Sequence, residues 1–295
     1  MKKRKFNVGY YYLLPAIIIL IVLIGYPIIY NIVLSFQDVN LSNLGSSEKP
    51  FIGFDNYTAI FSDSLFRDAF LNTLFFTIIS IILQFVIGFA LALFFSLDFK
   101  LAPLLRGLTM VAWILPATVV GILFEFLFSE SVGLLNAIPM MLGLIDTPIA
   151  WLSEPTRAIW AVILANVWVG IPFNMLLIST GITSLPKEIY ESAAIDGATW
   201  LQRLIHITIP LLRPVLLIVA MLGFIYTFKV FDLIYVMTGG GPANSTEVLS
   251  TLSYRYSFGH FNFGLGSAVA NVLLFALLII SLIYIKMTRS DEVIE

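Results

Sequence analysis

The chain has 295 residues, of which 59% are hydrophobic and only 12% charged. So apolar a chain cannot cover a soluble globule with polar groups, which excludes a soluble enzyme or a soluble binding domain. The formal net charge of −2 says little by itself and does not point to nucleic acid, and the absence of cysteine excludes disulfide and thiol chemistry.

A hydrocarbon core about 30 Å thick needs about 20 apolar residues per helix. Six segments reach that length, at 11–34, 70–95, 108–128, 158–182, 215–237 and 265–285. They predict an all-α integral membrane protein, a single transmembrane domain over 1–295. Lys2, Lys3, Arg4 and Lys5 before an apolar run look like the start of a secretory signal. The run continues through Pro27 to Ile32 without a small-x-small cleavage site, so it reads as an uncleaved first span. The first outer loop, about 37–69, carries Phe51-Ile-Gly53 and Asn56-Tyr57 and predicts a short amphipathic helix from Asn56 to Phe66. An inner loop at 96–106 and an outer loop at 129–156 follow. A long polar loop at 186–210 lies inside, and the last outer loop opens with Thr238-Gly-Gly-Gly-Pro242, which ends the helix before it. The inner segments hold eleven basic residues: the N-terminal four, Lys100, Arg106, Lys187, Arg203, Arg213, Lys286 and Arg289. The outer loops hold four, Lys49, Arg67, Arg157 and Arg255. That asymmetry puts both termini in the cytoplasm.

The loop at 186–210 predicts two short helices with a break. Pro186 suits a first helical turn, where its missing N–H costs nothing, and Glu188 favours the positive end of the helix dipole. Gly197 suits a helix C-terminus because it adopts left-handed geometry without strain. Thr199 and Gln202 have capping-box spacing. Trp200, Leu201, Leu204 and Ile205 give the second helix an apolar stripe, with Arg203 and His206 outside it, and Pro210 and Pro214 mark the turn back into the membrane. Periodicity alone reads this loop equally well as an interfacial connector and as a knob, small at Ala193, Ala194 and Ala198, that docks on a partner.

Glu125, Lys229 and Asp232 fall within predicted spans, where ionisable groups are costly and face a cavity or a partner. Lys229 and Asp232 have i, i+3 spacing and predict an ion pair. This pair is either structural, at the outer interface, or part of a gate. The fourth span carries Asn166, Trp168, Gly170, Pro172 and Asn174. These residues read either as helix-packing positions or as an amide-and-aromatic surface of the kind that binds sugar hydroxyls and C–H faces. His206 and His260 lie on opposite sides of the membrane in this topology, which excludes a shared metal or haem site.

Tyr190-Glu191-Ser-Ala193-Ala-Ile-Asp196-Gly197-Ala198, followed by Ile207-Thr-Ile209-Pro210-Leu-Leu-Arg-Pro214, resembles the loop signature of binding-protein-dependent ABC importer permeases. Ser192 replaces the usual second alanine. The sugar permease branch, with its maltose-type first subunit, is the most similar. Phe51-Ile-Gly53, Asn56-Tyr57, Ala150-Trp151-Leu152, Asn166-Val-Trp168-Val-Gly170-Ile-Pro172, Phe231-Asp232 and Thr238-Gly-Gly-Gly-Pro242 extend the likeness over most of the chain.

The resemblance implies a type I permease fold of six helices in a bacterial or archaeal inner membrane. It implies ATPase coupling at Glu191, Ala193, Asp196, Gly197, Ile209 and Pro210, with Glu191 meeting a basic residue of the ATPase and Gly197 forming the bend. It places substrate contacts at Asn166, Trp168, Gly170, Phe173, Gly223, Thr227 and Val230, where Val230 departs from the polar type expected. It also implies four kinds of partner: a second permease subunit, two copies of a cytoplasmic ATPase, an extracellular solute-binding protein and a sugar. The chain has no Gly-x4-Gly-Lys-Ser/Thr loop, so it is not itself expected to be the enzyme, and ATP and Mg belong to the partner. Permeases for glycerol phosphate, amino acids or phosphate are alternatives within this class. An ion-coupled carrier would show internal repeats and midplane charges. An intramembrane protease would need serine and histidine at one depth in the bilayer. The sequence shows neither arrangement.

Overall fold

The computed structural model describes residues 9–292 apart from 47 and 98. Lys2, Lys3, Arg4 and Lys5 of the charge asymmetry lie outside the described residues, as does the Arg289 side chain. Among the described residues all regular structure is helical, with two isolated bridges, Gln37 to Phe51 and Asn40 to Asn262. Helices follow from the solvent, because a hydrocarbon core offers no water to backbone N–H and C=O groups.

In chain order the helices begin with α1 (Gly9–Leu20), α2 (Tyr26–Leu34), α3 (Asp55–Ser62), α4 (Ser64–Phe95) and α5 (Ala102–Ile114). Next come α6 (Ala117–Leu127), α7 (Leu134–Met141), α8 (Pro155–Thr183), α9 (Lys187–Ile195) and α10 (Trp200–Arg203). The chain ends with α11 (Ile209–Phe228), α12 (Asp232–Met237), α13 (Leu249–Tyr254) and α14 (Phe263–Glu292). Five helical stretches are long and apolar enough to cross a membrane, and a bent pair, α5 with α6, brings the number to six.

Two expected spans differ from the structure. Residues 108–128, predicted as one span, belong to α5 and α6, which meet at 98°. The cause is Pro116, which disfavours helical geometry at the residue before it, and Leu115 is extended at φ −67° and ψ 138°. Residues 215–237 break at Lys229–Phe231 between α11 and α12. No proline or glycine stands at this break. Its backbone is held by side chains instead, since the Ser250 hydroxyl donates to Val230 O at 2.5 Å. The short outer helix α3 ends at Ser62, ahead of the Phe66 expected, because Asp63 turns extended at ψ 124° and its carboxylate accepts from the Leu65 amide at 2.9 Å.

Proline has a different effect at two other places. A π-helical turn, Ile21–Gly25, precedes Tyr26-Pro27, and another, Leu204–Thr208, precedes Ile209-Pro210. Each proline lacks the N–H that would bond four residues back and crowds that carbonyl. A wider turn accommodates the ring without ending the helix.

The chain divides into two compact units. In the first, Met1–Phe66 with Leu252–Leu274, buried amides and hydroxyls join the segments. Asn56 donates to Ser35 O and Gln37 O at 2.9 and 3.0 Å. Asn31 donates to Asn271 at 2.8 Å, and Asn271 to the Tyr57 hydroxyl at 3.2 Å. The second unit, Arg67–Thr251 with Phe275–Glu295, is built around α8. Ala161, Val162, Ile163 and Ala165 of α8 pack with Phe76, Val120, Leu233 and Ile234, and further along Met175 and Ile178 pack with Ala92, Phe95 and Val219. Glu154 caps the start of α8 by accepting the Thr156 and Arg157 amides, both at 3.0 Å. The Thr156 backbone bond, above all, holds its carboxyl below the usual glutamate range.

α4 and α8 cross closely at a glycine. A Cβ on Gly88 would lie 2.6 Å from Asn174 Cβ and 3.1 Å from Met175 N, which are parts of the opposing helix that cannot swing away. Gly88→Val is therefore expected to force the two helices apart and to lower stability by about 1–3 kcal/mol. Gly107→Val, where a Cβ meets nothing within 4 Å, serves as the control. Thermal melting in detergent checks this, and equal melting of the two variants would refute the crossing.

Candidate functional site

Two features of the second unit can do work, a cavity and a polar elbow between two long helices. The cavity is about 380 Å3 and is lined from α4, α5, α6, α8, α11 and α12. α8 supplies Asn166, Val169, Gly170, Phe173 and Asn174, a spacing of i, i+3, i+4, i+7 and i+8 that gathers them on one face. α11 supplies Gly223, Tyr226 and Thr227, and the break after it adds Lys229, Val230, Phe231 and Asp232.

Six of the seven residues expected to contact substrate thus share this cavity: Asn166, Gly170, Phe173, Gly223, Thr227 and Val230. Trp168 does not. Two residues past Asn166 on a helix turning 100° per residue, it points to the far side. There it packs on Phe124 at 5.5 Å between ring centroids and lines a separate cavity of about 420 Å3. Pro172 lines that separate cavity too, and α8 runs through it unbroken. Sequence reasoning missed Gln84, Trp113 and Tyr226, which also line the cavity. A carboxamide in the middle of the apolar α4 was the available signal for Gln84.

The chemistry of the lining is amide and aromatic. The Gln84 Nε2 donates to Asn166 O at 3.0 Å, and the Asn174 Nδ2 to Gly170 O at 2.8 Å. The Asn166 Nδ2 is buried and has no hydrogen-bond partner among the described residues. Phe173 lies between Trp113 and Tyr226, at 5.9 and 5.6 Å. A Cβ on Gly170 would collide with the Gln84 carboxamide, so Gly170 is what lets that group lie across α8.

Lys229 and Asp232 are exposed at the cavity. The ion pair predicted from their spacing does not form. Lys229 ends α11 and Phe231 precedes α12, so helical i, i+3 geometry is lost between them. The Lys229 ammonium lies over the Tyr226 ring instead, 5.6 Å from its centroid. Glu125 is exposed on α6 and lies outside the lining.

The elbow is the segment from α9 to the start of α11. Gly197 has φ +77°. The Gly197 amide bonds Ala194 O at 3.1 Å and the Ala198 amide bonds Ala193 O at 2.9 Å, the double closure that a left-handed residue at a helix end permits. A Cβ at Gly197 would meet nothing within 4 Å, so the demand for glycine is conformational and not one of space. Thr199 and Gln202 form the capping box in full. Glu191, Asp196, Ile209 and Pro210 are exposed and Ala193 is half-buried. Ile195 is 87% exposed and Trp200 59%, a large apolar display for a polar loop.

The second helix of the elbow does not turn back at Pro210. α10, the π turn and α11 form one 29-residue helix, Trp200–Phe228. The elbow therefore lies at one end of a rod, and Gly223 and Thr227 of the cavity lie about 35 and about 40 Å along it from Trp200. The Tyr190 hydroxyl meets the Thr208 hydroxyl at 2.9 Å and ties α9 to the same rod.

Residues 84–287 match the family model described as binding-protein-dependent transport system inner membrane component. The trehalose/maltose transport system permease protein MalF of Thermococcus litoralis is 33% identical over 290 residues, 98% of this chain and 96% of that one. The sulfoquinovosyl glycerol transport system permease protein SmoG of Agrobacterium fabrum is 32% identical, covering 95% and 90%. A bacterial alginate ABC transporter, solved with an alginate pentasaccharide-bound periplasmic protein, superposes with a TM-score of 0.83 at 23% identity, over 96% of this chain and 94% of that one.

An alanine at 197 meets the steric penalty of left-handed geometry, about 1–2 kcal/mol, whereas asparagine tolerates it better. Gly197→Ala is therefore expected to speed amide exchange at residues 197–198 by about 5- to 30-fold, and Gly197→Asn by less. Hydrogen exchange read by mass spectrometry tests this, and equal protection in all three proteins would contradict the elbow geometry.

Proposed function

The chain belongs to the family of binding-protein-dependent transport system inner membrane components, and from that premise we propose that it is the sugar-conducting permease subunit of an ATP-driven importer. One observation carries the reading. A single helix, Trp200–Phe228, has the cytoplasmic elbow at its start and the amide-lined cavity near its end. A push on the elbow moves the cavity wall without passing through a flexible joint.

The elbow would dock on a separate cytoplasmic ATPase that binds ATP and Mg, with Glu191 pairing with a basic group and the apolar Ile195 and Trp200 seated in its cleft. Two ATPase copies, a second permease subunit and an extracellular solute-binding protein complete the machine, and ATP hydrolysis belongs to the ATPase alone. Closure of the ATPase on ATP swings the rod, and the cavity alternates between the two faces of the membrane.

The cavity chemistry supports a glycoside. The carboxamides of Gln84, Asn166 and Asn174 suit sugar hydroxyls, and the Trp113, Phe173 and Tyr226 rings suit C–H faces. A volume of about 380 Å3 falls within the range of small-molecule sites. Two of the relatives are named for trehalose or maltose and for sulfoquinovosyl glycerol, which are glycosides as well. The exposed Lys229 gives an anionic sugar a partner.

Two outcomes are expected in vesicles carrying the whole transporter. Glu191→Ala and Gly197→Pro insert normally but hydrolyse ATP without matching uptake, and normal uptake by both would remove the coupling role. Gly170→Ala displaces the Gln84 carboxamide while leaving the helices in place. It lowers sugar uptake by about 5- to 30-fold, the loss of one buried polar contact or so, with little change in melting temperature. Uptake that follows an ion gradient and not ATP would overturn the importer reading altogether.

A further inference from the structure

Another cavity, about 710 Å3, lies where the elbow meets the inner ends of α4 and α8. Leu93, Leu97 and Ile182 form an apolar wall, while Lys187, Trp200 and Arg203 face it from the elbow. Its lining holds two cations and no Asp or Glu among the described residues. The Arg203 Nε is buried and has no hydrogen-bond partner among those residues, and neither Arg203 nor Lys187 forms an ion pair among them. Ala92 O and Leu93 O accept the Ser96 amide, Phe95 O accepts from Arg106, and Gly181 O and Ile182 O accept the Ser184 and Leu185 amides.

Two cations on the lining without an ion pair call for an anion, and the adjoining apolar wall calls for hydrocarbon. The cavity stands at the cytoplasmic ends of two spans, the depth at which the phosphates of the inner leaflet lie. A tryptophan beside it suits the same interface. We propose that this cavity binds the phosphate headgroup of an anionic phospholipid of the cytoplasmic leaflet. Arg203 and Lys187 take the phosphate, and the first methylenes of an acyl chain lie along Leu93, Leu97 and Ile182. The lipid would then wedge the elbow against the spans it moves. This inference rests on the topology above and not on which solute is carried.

The test uses the intact transporter and reads bound lipid, so it succeeds or fails independently of transport. The complex is equilibrated in phosphatidylcholine mixed with phosphatidylglycerol, extracted, and weighed by native mass spectrometry. The wild type is expected to retain phosphatidylglycerol over phosphatidylcholine. Lys187→Gln with Arg203→Gln is expected to lower that retention by about 10- to 30-fold, the effect of losing two cations near an anionic surface. Arg203→Lys should keep most of it, and it guards against a folding defect. Equal retention in wild type and double variant would overturn the site. Displacement of the lipid by millimolar inorganic phosphate would overturn the lipid source in favour of a soluble anion. Asp98, next after Leu97, lies outside the described residues. Asp98→Asn should leave retention unchanged or raise it, and a loss equal to that of the double variant would overturn the direct phosphate contact.

Discussion

Inside a bilayer every backbone N–H and C=O has to find its partner within the protein, and the rest of this structure is arranged around that demand. Helices satisfy it by default. Where a helix is interrupted, the surroundings must supply the missing partner. The break between α11 and α12 does so with Ser250, whose hydroxyl takes the carbonyl of Val230. The bend between α5 and α6 keeps the Val120 amide on Pro116 O at 3.1 Å. Both interruptions border the amide-lined cavity, through Trp113 and Ala117 on one side and Lys229 to Asp232 on the other. Irregular backbone at membrane depth is tolerated where it lines a cavity, and these breaks sit where that tolerance exists.

The helix that leaves the elbow is continuous. Proline at 210 does not end the helix that carries it. The chain widens into a π turn over Leu204–Thr208 and continues. The helix is thus continuous from Trp200 to Phe228, and the chain turns at Gly197, the left-handed residue between α9 and α10. α9 is joined to the rod in two ways, by the capped chain through Thr199 and by the Tyr190 to Thr208 hydroxyl contact. The lipid cavity proposed at the ends of α4 and α8 adjoins this joint.

Much of this was legible in the residues. Apolar runs locate the helices because hydrocarbon imposes one answer on the backbone. Thr199 with Gln202, and Gly197, specify the elbow locally, since a capping box and a left-handed turn depend on neighbours within a few positions. The polar positions of α8 mark the cavity, yet sequence cannot say which face they share without a helical register. Asn166, Gly170 and Phe173 fall on one face and Trp168 on the other. Lys229 and Asp232 show the limit more sharply. Their spacing describes a pair only if the helix is continuous, and it is not.

The sequence by itself determined where most of the apolar helices lie and where the elbow bends, because composition and near neighbours settle those questions. Tertiary structure alone decided the break after Phe228, the bend angle at Pro116, the company that Gln84 and Tyr226 keep with Asn166, and the cationic cavity at Arg203. Each depends on contacts between residues far apart in the chain. The physical reason is that burial and partner choice are properties of packed helices, and no single segment carries them.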